Sequence, residues 1–206
     1  RSTRIVSSAA SDVYKRQLFL FMLGTGCSPG PNNIVASYSG FNFGIMKTIP
    51  HMLGVILGFT LMVSVLNFGL INIFKIYPLL QEILKISGSI FLVYLAYKIA
   101  FSKNIDKEQK QNPVKFFETF LFQFLNPKGV IVGIICVSTY VESGVNFLNH
   151  SIWVISVSFI CAIISINFWT LIGKFLRKFA TNEKFIKLFN YAMSVLLLGC
   201  IATFYY

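Results

Sequence analysis

The sequence predicts an all-α membrane protein of six transmembrane helices, built as two inverted three-helix repeats with the first and fourth helices broken at the midplane. Three observations predict it. Of 206 residues, 55% are hydrophobic and 12% charged, against about 25% charged in an ordinary soluble domain. The apolar residues come in blocks, with no Asp, Glu, Lys or Arg in 18–46, 48–74, 143–173 or 188–206. Two of the apolar segments carry proline in mid-span, in matching places. Six spans of roughly 20 residues with short loops use nearly the whole length. A disordered chain, a disulfide scaffold and a soluble enzyme are excluded. The net charge of +11 then reads as lysine in cytoplasmic loops rather than as a nucleic-acid surface.

Residues 1–17 are set aside. They are polar, and Asp12–Gln17 resembles a translated mosaic-end adapter of transposon-based sequencing libraries, so the expectation is a non-native scar ahead of a single domain at 18–206. Without them the net charge falls to +8 (14 basic and 6 acidic residues). The six helices are expected at about 18–40, 49–73, 79–101, 116–141, 150–173 and 186–205, continuously apolar rather than alternating as barrel strands are.

The loops set the orientation. Lys47, Lys98, Lys103, Lys107, Lys110 and Lys115 join Lys174, Arg177, Lys178, Lys184 and Lys187 on one side, against Lys75 and Lys85 on the other. The positive-inside rule puts the rich side in the cytoplasm and both termini outside.

The first helix is interrupted by Ser28-Pro29-Gly30-Pro31-Asn32-Asn33. Pro29 and Pro31 cannot donate to the carbonyls of Thr25 and Cys27, and Gly30 loosens the turn between them. Pro31 suits the first position of a new half-helix, with Asn32 and Asn33 in its first turn. The fourth helix carries Asn126-Pro127-Lys128, and Pro127 leaves the Gln123 carbonyl without its helical donor. Lys128 lies 13 residues after Lys115 and 14 before Glu142, roughly 20 Å from either surface. A lysine stem of about 6 Å does not snorkel that far. A charge at the midplane costs about 2.5–3.5 kcal/mol even on the lenient insertion scale, so Lys128 must face a polar site, pair, or lose its proton. Proline-interrupted helices paired in an inverted repeat point to a transporter's substrate site; a pair of structural kinks is the bland alternative.

These residues resemble the LysE/RhtB family of amino-acid exporters. The resemblance covers essentially all of 18–206 and runs through Ser28–Asn33, Pro50-His51, Gly54, Gly58-Phe59, Leu95–Ala100, Gln123-Phe124, Asn126-Pro127-Lys128, Asn167 and Trp169. Within the family, Leu95–Ala100, Ser138–Val141 and Phe204-Tyr205-Tyr206 are most similar to the cysteine and O-acetylserine exporters. The resemblance implies a bacterial inner-membrane protein, not an enzyme, that exports small amino acids against protons and needs no cofactor. Threonine, homoserine or basic amino acids are the alternative substrates. On this reading the substrate carboxylate meets the half-helix start at Pro31, with Asn32, Asn33 and Lys128. Its ammonium meets carbonyls freed at Thr25, Cys27 and Gln123. Loading changes the protonation of Lys128.

Other features have blander readings. Gly40-x-x-x-Gly44 and Gly54-x-x-x-Gly58 permit close helix approach, inside one chain or along a homodimer seam. His51 is expected near the cytoplasmic interface as a satisfied histidine, with a proton relay as the rival. For Asn167 and Trp169, lining the pathway and fixing a helix contact stay open. Cys27, Cys136, Cys161 and Cys200 have no metal spacing and read as small buried hydrophobes. A membrane thiol–disulfide carrier fits poorly, because Cys27 precedes Pro29 by two residues and Cys136 follows Pro127 by nine. A metal exporter fits poorly too, without carboxylates or histidines clustered in the spans.

Overall fold

In the computed structural model the described residues are 2–70, 76–102, 113–142, 144–180 and 182–205, with side chains from Val13 onward except at Leu70, Pro78 and Gln81. They form helices: α1 Ser2–Cys27, α2 Pro31–Val65, α3 Pro78–Ala100, α4 Phe116–Leu125, α5 Pro127–Tyr140, α6 Phe147–Arg177 and α7 Glu183–Ala202, with a π turn at Leu66–Leu70. Lys75, Lys103, Lys107 and Lys110 of the orientation argument, the expected end of the second helix at 73, and Tyr206 lie outside the described residues. Among these helices, four segments are long and apolar enough to cross a membrane, and the α4–α5 pair, bent by 61°, makes a fifth.

Seven helices stand where six were expected, because the proline breaks divide the first and fourth spans while a tight turn joins the first to the second. Ser28 precedes a proline and leaves helical geometry. Gly30 is extended (φ −172°, ψ 172°), and Pro31 opens α2. The expected loop at 41–48 is a single-residue reversal at Gly44, whose φ of 75° favours glycine. Along an unbroken helix the 19 residues from Asn32 to His51 would span about 28 Å. Instead His51 Nε2 lies 3.2 Å from Asn32 O, so α2 is a hairpin of two arms. Residues 2–17 continue α1 backwards, and the Tyr14 hydroxyl donates to Thr139 O at 3.2 Å.

Hydrogen bonds fix the directions. On α6, Cys161 bonds Phe19 O, Ser165 bonds Gly26 O and Trp169 bonds Cys27 O. The numbers rise together, so α6 runs parallel to α1. In the same way the second arm of α2 runs parallel to α4 and α5, with Gly54 against Phe116, Gly58 against Phe120 and Leu66 against Gly133. Helix α3 pairs antiparallel with α7: Ser194 donates to Ala96 O at 2.8 Å, and Ser89 Oγ meets the Tyr205 hydroxyl at 3.3 Å. One apolar cluster joins Leu18, Met22, Met62, Val63, Cys136 and Val157, and another joins Ile34, Tyr38, Leu92, Ile99, Phe122 and Leu197. The outward faces stay apolar: on α3, Ile83, Ile86, Ile90, Val93 and Tyr97 are all exposed, at helical spacing. A surface of this kind suits lipid and not water.

Candidate functional site

The breaks in α1–α2 and α4–α5 meet across a cavity of about 80 Å³, several times the 10–15 Å³ or so that one water needs. Gly30, Pro31, Asn32 and Asn33 line it from one break, Asn126 and Lys128 from the other; Thr25 and Ser165 add hydroxyls, while Val55, Phe59 and Val132 form an apolar wall. The backbone N–H groups of Asn32 and Asn33, and of Lys128 and Gly129, fall in the first turns of α2 and α5. By position they have no partner within their helices. Neither helix has a side-chain cap. Two positive helix ends therefore border one small cavity.

The carbonyls of the first break are fully used. Gly24 O accepts from the Ser28 N–H at 3.1 Å, and Gly30 O from the Ile34 N–H at 2.9 Å. Thr25 O accepts from Ser28 Oγ (2.7 Å), and Gly26 O from Asn33 Nδ2 and Ser165 Oγ (both 2.6 Å). Cys27 O accepts from Trp169 Nε1 at 3.0 Å. Ser28 O takes Asn33 Nδ2 at 2.9 Å and, with Pro29 O, the ammonium of Lys128. Lys128 Nζ donates to Ser28 O (3.1 Å), Ser28 Oγ (2.7 Å) and Pro29 O (3.1 Å). The expectation of freed carbonyls at Thr25 and Cys27 is thereby corrected: both have protein donors. The bonds of Nζ also explain how Lys128 is tolerated at depth: its three donors meet three oxygens at the negative end of α1.

A second network ties the breaks together. The amides of Asn32 and Gln123 exchange hydrogen bonds at 2.8 and 3.1 Å, and Gln123 Nε2 also donates to Thr119 O. His51 Nδ1 lies 2.9 Å from Thr119 Oγ1, and its Nε2 faces Asn32 O. The Asn32 carbonyl can only accept, so Nε2 carries a hydrogen and donates to it. His51 is 1% exposed and lies buried between helices with both ring nitrogens partnered. Both partners have other options: Thr119 Oγ1 reaches Lys115 O, and Asn32 O keeps its helical place. His51→Leu should therefore cost only about 1 kcal/mol, read as a shift of a few degrees in the thermal midpoint of purified protein.

Of the residues singled out from sequence, Pro29, Pro127 and Gln123 stand behind the cavity wall and shape it. Trp169 fixes α6 to the end of α1, and Asn167 bonds Ile163 O on its own helix. Asn126 Oδ1 is buried without a partner among the described residues. Sequence reasoning missed Thr119 and Ser165. A period of four would have found both, since Thr119–Gln123 and Cys161–Ser165–Trp169 form polar stripes on otherwise apolar helices. All four cysteines are free, and among the described residues no group of His, Cys, Asp or Glu is placed to hold a metal.

Four to five membrane-length segments, with two helix breaks meeting at one cavity, fit a multi-pass membrane transporter. A family model described as "LysE type translocator" matches residues 23–206, and the chain belongs to that family; it is a transporter and not an enzyme. It is 33% identical over 191 residues to the cysteine/O-acetylserine efflux protein of Salmonella choleraesuis (strain SC-B67), covering 90% of this chain and 94% of the relative. It is 30% identical, with the same coverage, to the cysteine/O-acetylserine efflux protein of Escherichia coli (strain K12). No solved structure matches the chain.

Proposed function

We propose that this chain exports small neutral amino acids, of the cysteine and O-acetylserine kind, across the bacterial inner membrane in exchange for entering protons. The observation that carries this reading is the cavity where Asn32, Asn33 and Lys128 bring two positive helix ends to one point. Such a site suits a carboxylate. The full-length relatives named for cysteine and O-acetylserine efflux support the substrate class. The cavity lining contains no carboxylate to hold a lysine or arginine side chain, which favours neutral over basic substrates. In this reading the chain crosses six times as two inverted halves, with both termini outside. The Gly44 reversal and the parallel runs of α6 with α1 and of α2 with α4 support that topology.

The test is to measure amino acids in the medium of cells producing the chain, against cells carrying an empty vector. Cysteine or O-acetylserine is expected to accumulate, and a protonophore to stop the accumulation. Threonine or homoserine in their place would move the substrate within the neutral class. Lysine or arginine release would contradict the cavity argument, and no release from well-inserted protein would overturn the reading.

A further inference from the structure

We propose that Ser28 O, Ser28 Oγ and Pro29 O form a primary-ammonium cradle that Lys128 and the α-ammonium of the substrate occupy in turn, so that loading an amino acid releases a proton from Lys128. The inference rests on the amino-acid reading above. Three acceptors stand 2.7–3.1 Å from one nitrogen, which is the complement of an –NH3+ group and its three donors. Gly30 keeps the approach open, since a Cβ there would lie 2.9 Å from the ammonium nitrogen.

The other carbonyls of the break already have donors from Ser28, Asn33, Ser165, Trp169 and Ile34, whereas the three cradle oxygens converge on one nitrogen. The cradle also lies where an α-amino acid needs it. Ammonium and carboxylate share one carbon, and the carboxylate site at the N–H groups of Asn32 and Asn33 begins three residues after Pro29. A substrate docked there brings its ammonium to the position that Lys128 Nζ fills in this structure.

Two ammonium ions cannot share three oxygens. When the substrate enters the cradle, Lys128 –NH3+ gives its proton to water in the cavity and withdraws as –NH2. When the substrate leaves, Lys128 takes a proton from water and returns. No bond other than N–H is made or broken, and the cradle holds one positive charge in either state. The titratable groups around it are the thiols of Cys27 on α1, Cys161 on α6 and Cys200 on α7 and the His51 imidazole beyond Asn32. None of the three partners of Nζ is a carboxylate. Mutual exclusion of proton and substrate at one place is what exchange requires: an amino acid travels out only where a proton travels in.

The experiment uses the whole chain purified in detergent, near neutral pH in weak reducing buffer with a pH indicator. Wild type is expected to release close to one proton per L-cysteine bound, and none on binding 3-mercaptopropionate, the same acid without the amine. Lys128→Met is expected to bind L-cysteine without release. In Lys128→Ala the empty cradle is expected to take n-propylammonium, raising the thermal midpoint of the variant and not of wild type. Ser28→Ala, which keeps the lysine, is expected to weaken L-cysteine binding about tenfold. Binding of L-cysteine to wild type with no proton released overturns the exchange. Equal response of wild type and Lys128→Ala to n-propylammonium, or an unchanged affinity in Ser28→Ala, overturns the cradle. If wild type binds no amino acid while n-propylammonium still stabilises Lys128→Ala, the functional reading fails and the exchange with it, although the cradle itself is then supported.

Discussion

Gly30→Ala is expected to give a folded protein whose export is slower by roughly tenfold to a hundredfold, the range for a reacting group displaced by about 1 Å. The backbone does not oppose the change. Gly30 is extended, at φ −172° and ψ 172°, a conformation any residue adopts. In such places Gly→Ala tends to stabilise by about 0.4–1 kcal/mol through the unfolded chain. What the new methyl meets is Lys128: Nζ at 2.9 Å, Cδ at 3.1 Å and Cε at 3.5 Å. These are the far atoms of a flexible side chain, so they yield and the fold survives. The ammonium then loses its place on Ser28 O, Ser28 Oγ and Pro29 O. Export at equal membrane abundance, measured with the thermal midpoint, separates the two effects. Gly24→Ala is the control, because a Cβ there meets nothing within 4 Å and both readings should stay at wild-type level. A Gly30→Ala protein that exports normally would show that the seated lysine is not needed.

The parts of this site that sequence could reveal are those carried by local rules. Proline deletes a donor wherever it stands, so the interruptions at Pro29–Pro31 and Pro127 could be read directly, as could the isolation of Lys128 far from either surface. The partner of Lys128 could not. Its oxygens lie 99 and 100 residues away, and nothing near Asn126-Pro127-Lys128 says whether the ammonium faces a substrate or the end of another helix. The same limit hid the fate of the Thr25 and Cys27 carbonyls, whose donors Ser28 and Trp169 are respectively a turn away and on another span. Gly44 was read as a small residue for close packing. It meets nothing within 4 Å and instead supplies the positive φ of the reversal, because apolar helix continues on both sides and leaves the chain no loop in which to turn. From sequence, His51 follows Pro50 near the start of the second helix and reads as close to the cytoplasmic interface. The tight reversal folds the second arm back along the first and buries it against Asn32 and Thr119. The π turn at Leu66–Leu70 carries Gly69 at a φ of 142°, a conformation that favours glycine.

Gly173→Val is expected to do the opposite of Gly30→Ala and leave no folded protein. A Cβ at Gly173 would fall onto the backbone of Ser37, meeting its O, C and Cα, and one at Gly40 would fall onto Thr170 O. Backbone in two packed helices does not step aside as a lysine stem does. The second arm of α2 meets α4 in the same manner: a Cβ at Gly54 would lie 2.7 Å from Phe116 O, and one at Gly58 2.7 Å from Phe120 O. Small residues at such contacts let backbones approach closely where lipid offers no hydrophobic drive to association. The two seams also place the site. Along the first, Ser165 and Trp169 of α6 hold the carbonyls of the α1–α2 break. Along the second, Thr119 and Gln123 of α4 meet His51 and Asn32. Forcing α6 off Ser37 would part the Ser165 and Trp169 bonds together, at a cost above about 4 kcal/mol, a large share of the 5–15 kcal/mol or so that holds a domain folded. Gly199→Val, at a glycine whose Cβ meets nothing within 4 Å, is expected to elute as wild type. Size-exclusion profiles of the two variants decide the matter. A monodisperse Gly173→Val at wild-type abundance would mean that the α6 seam is not the close contact that positions Lys128's cradle, and that the break is held by its hydrogen bonds alone.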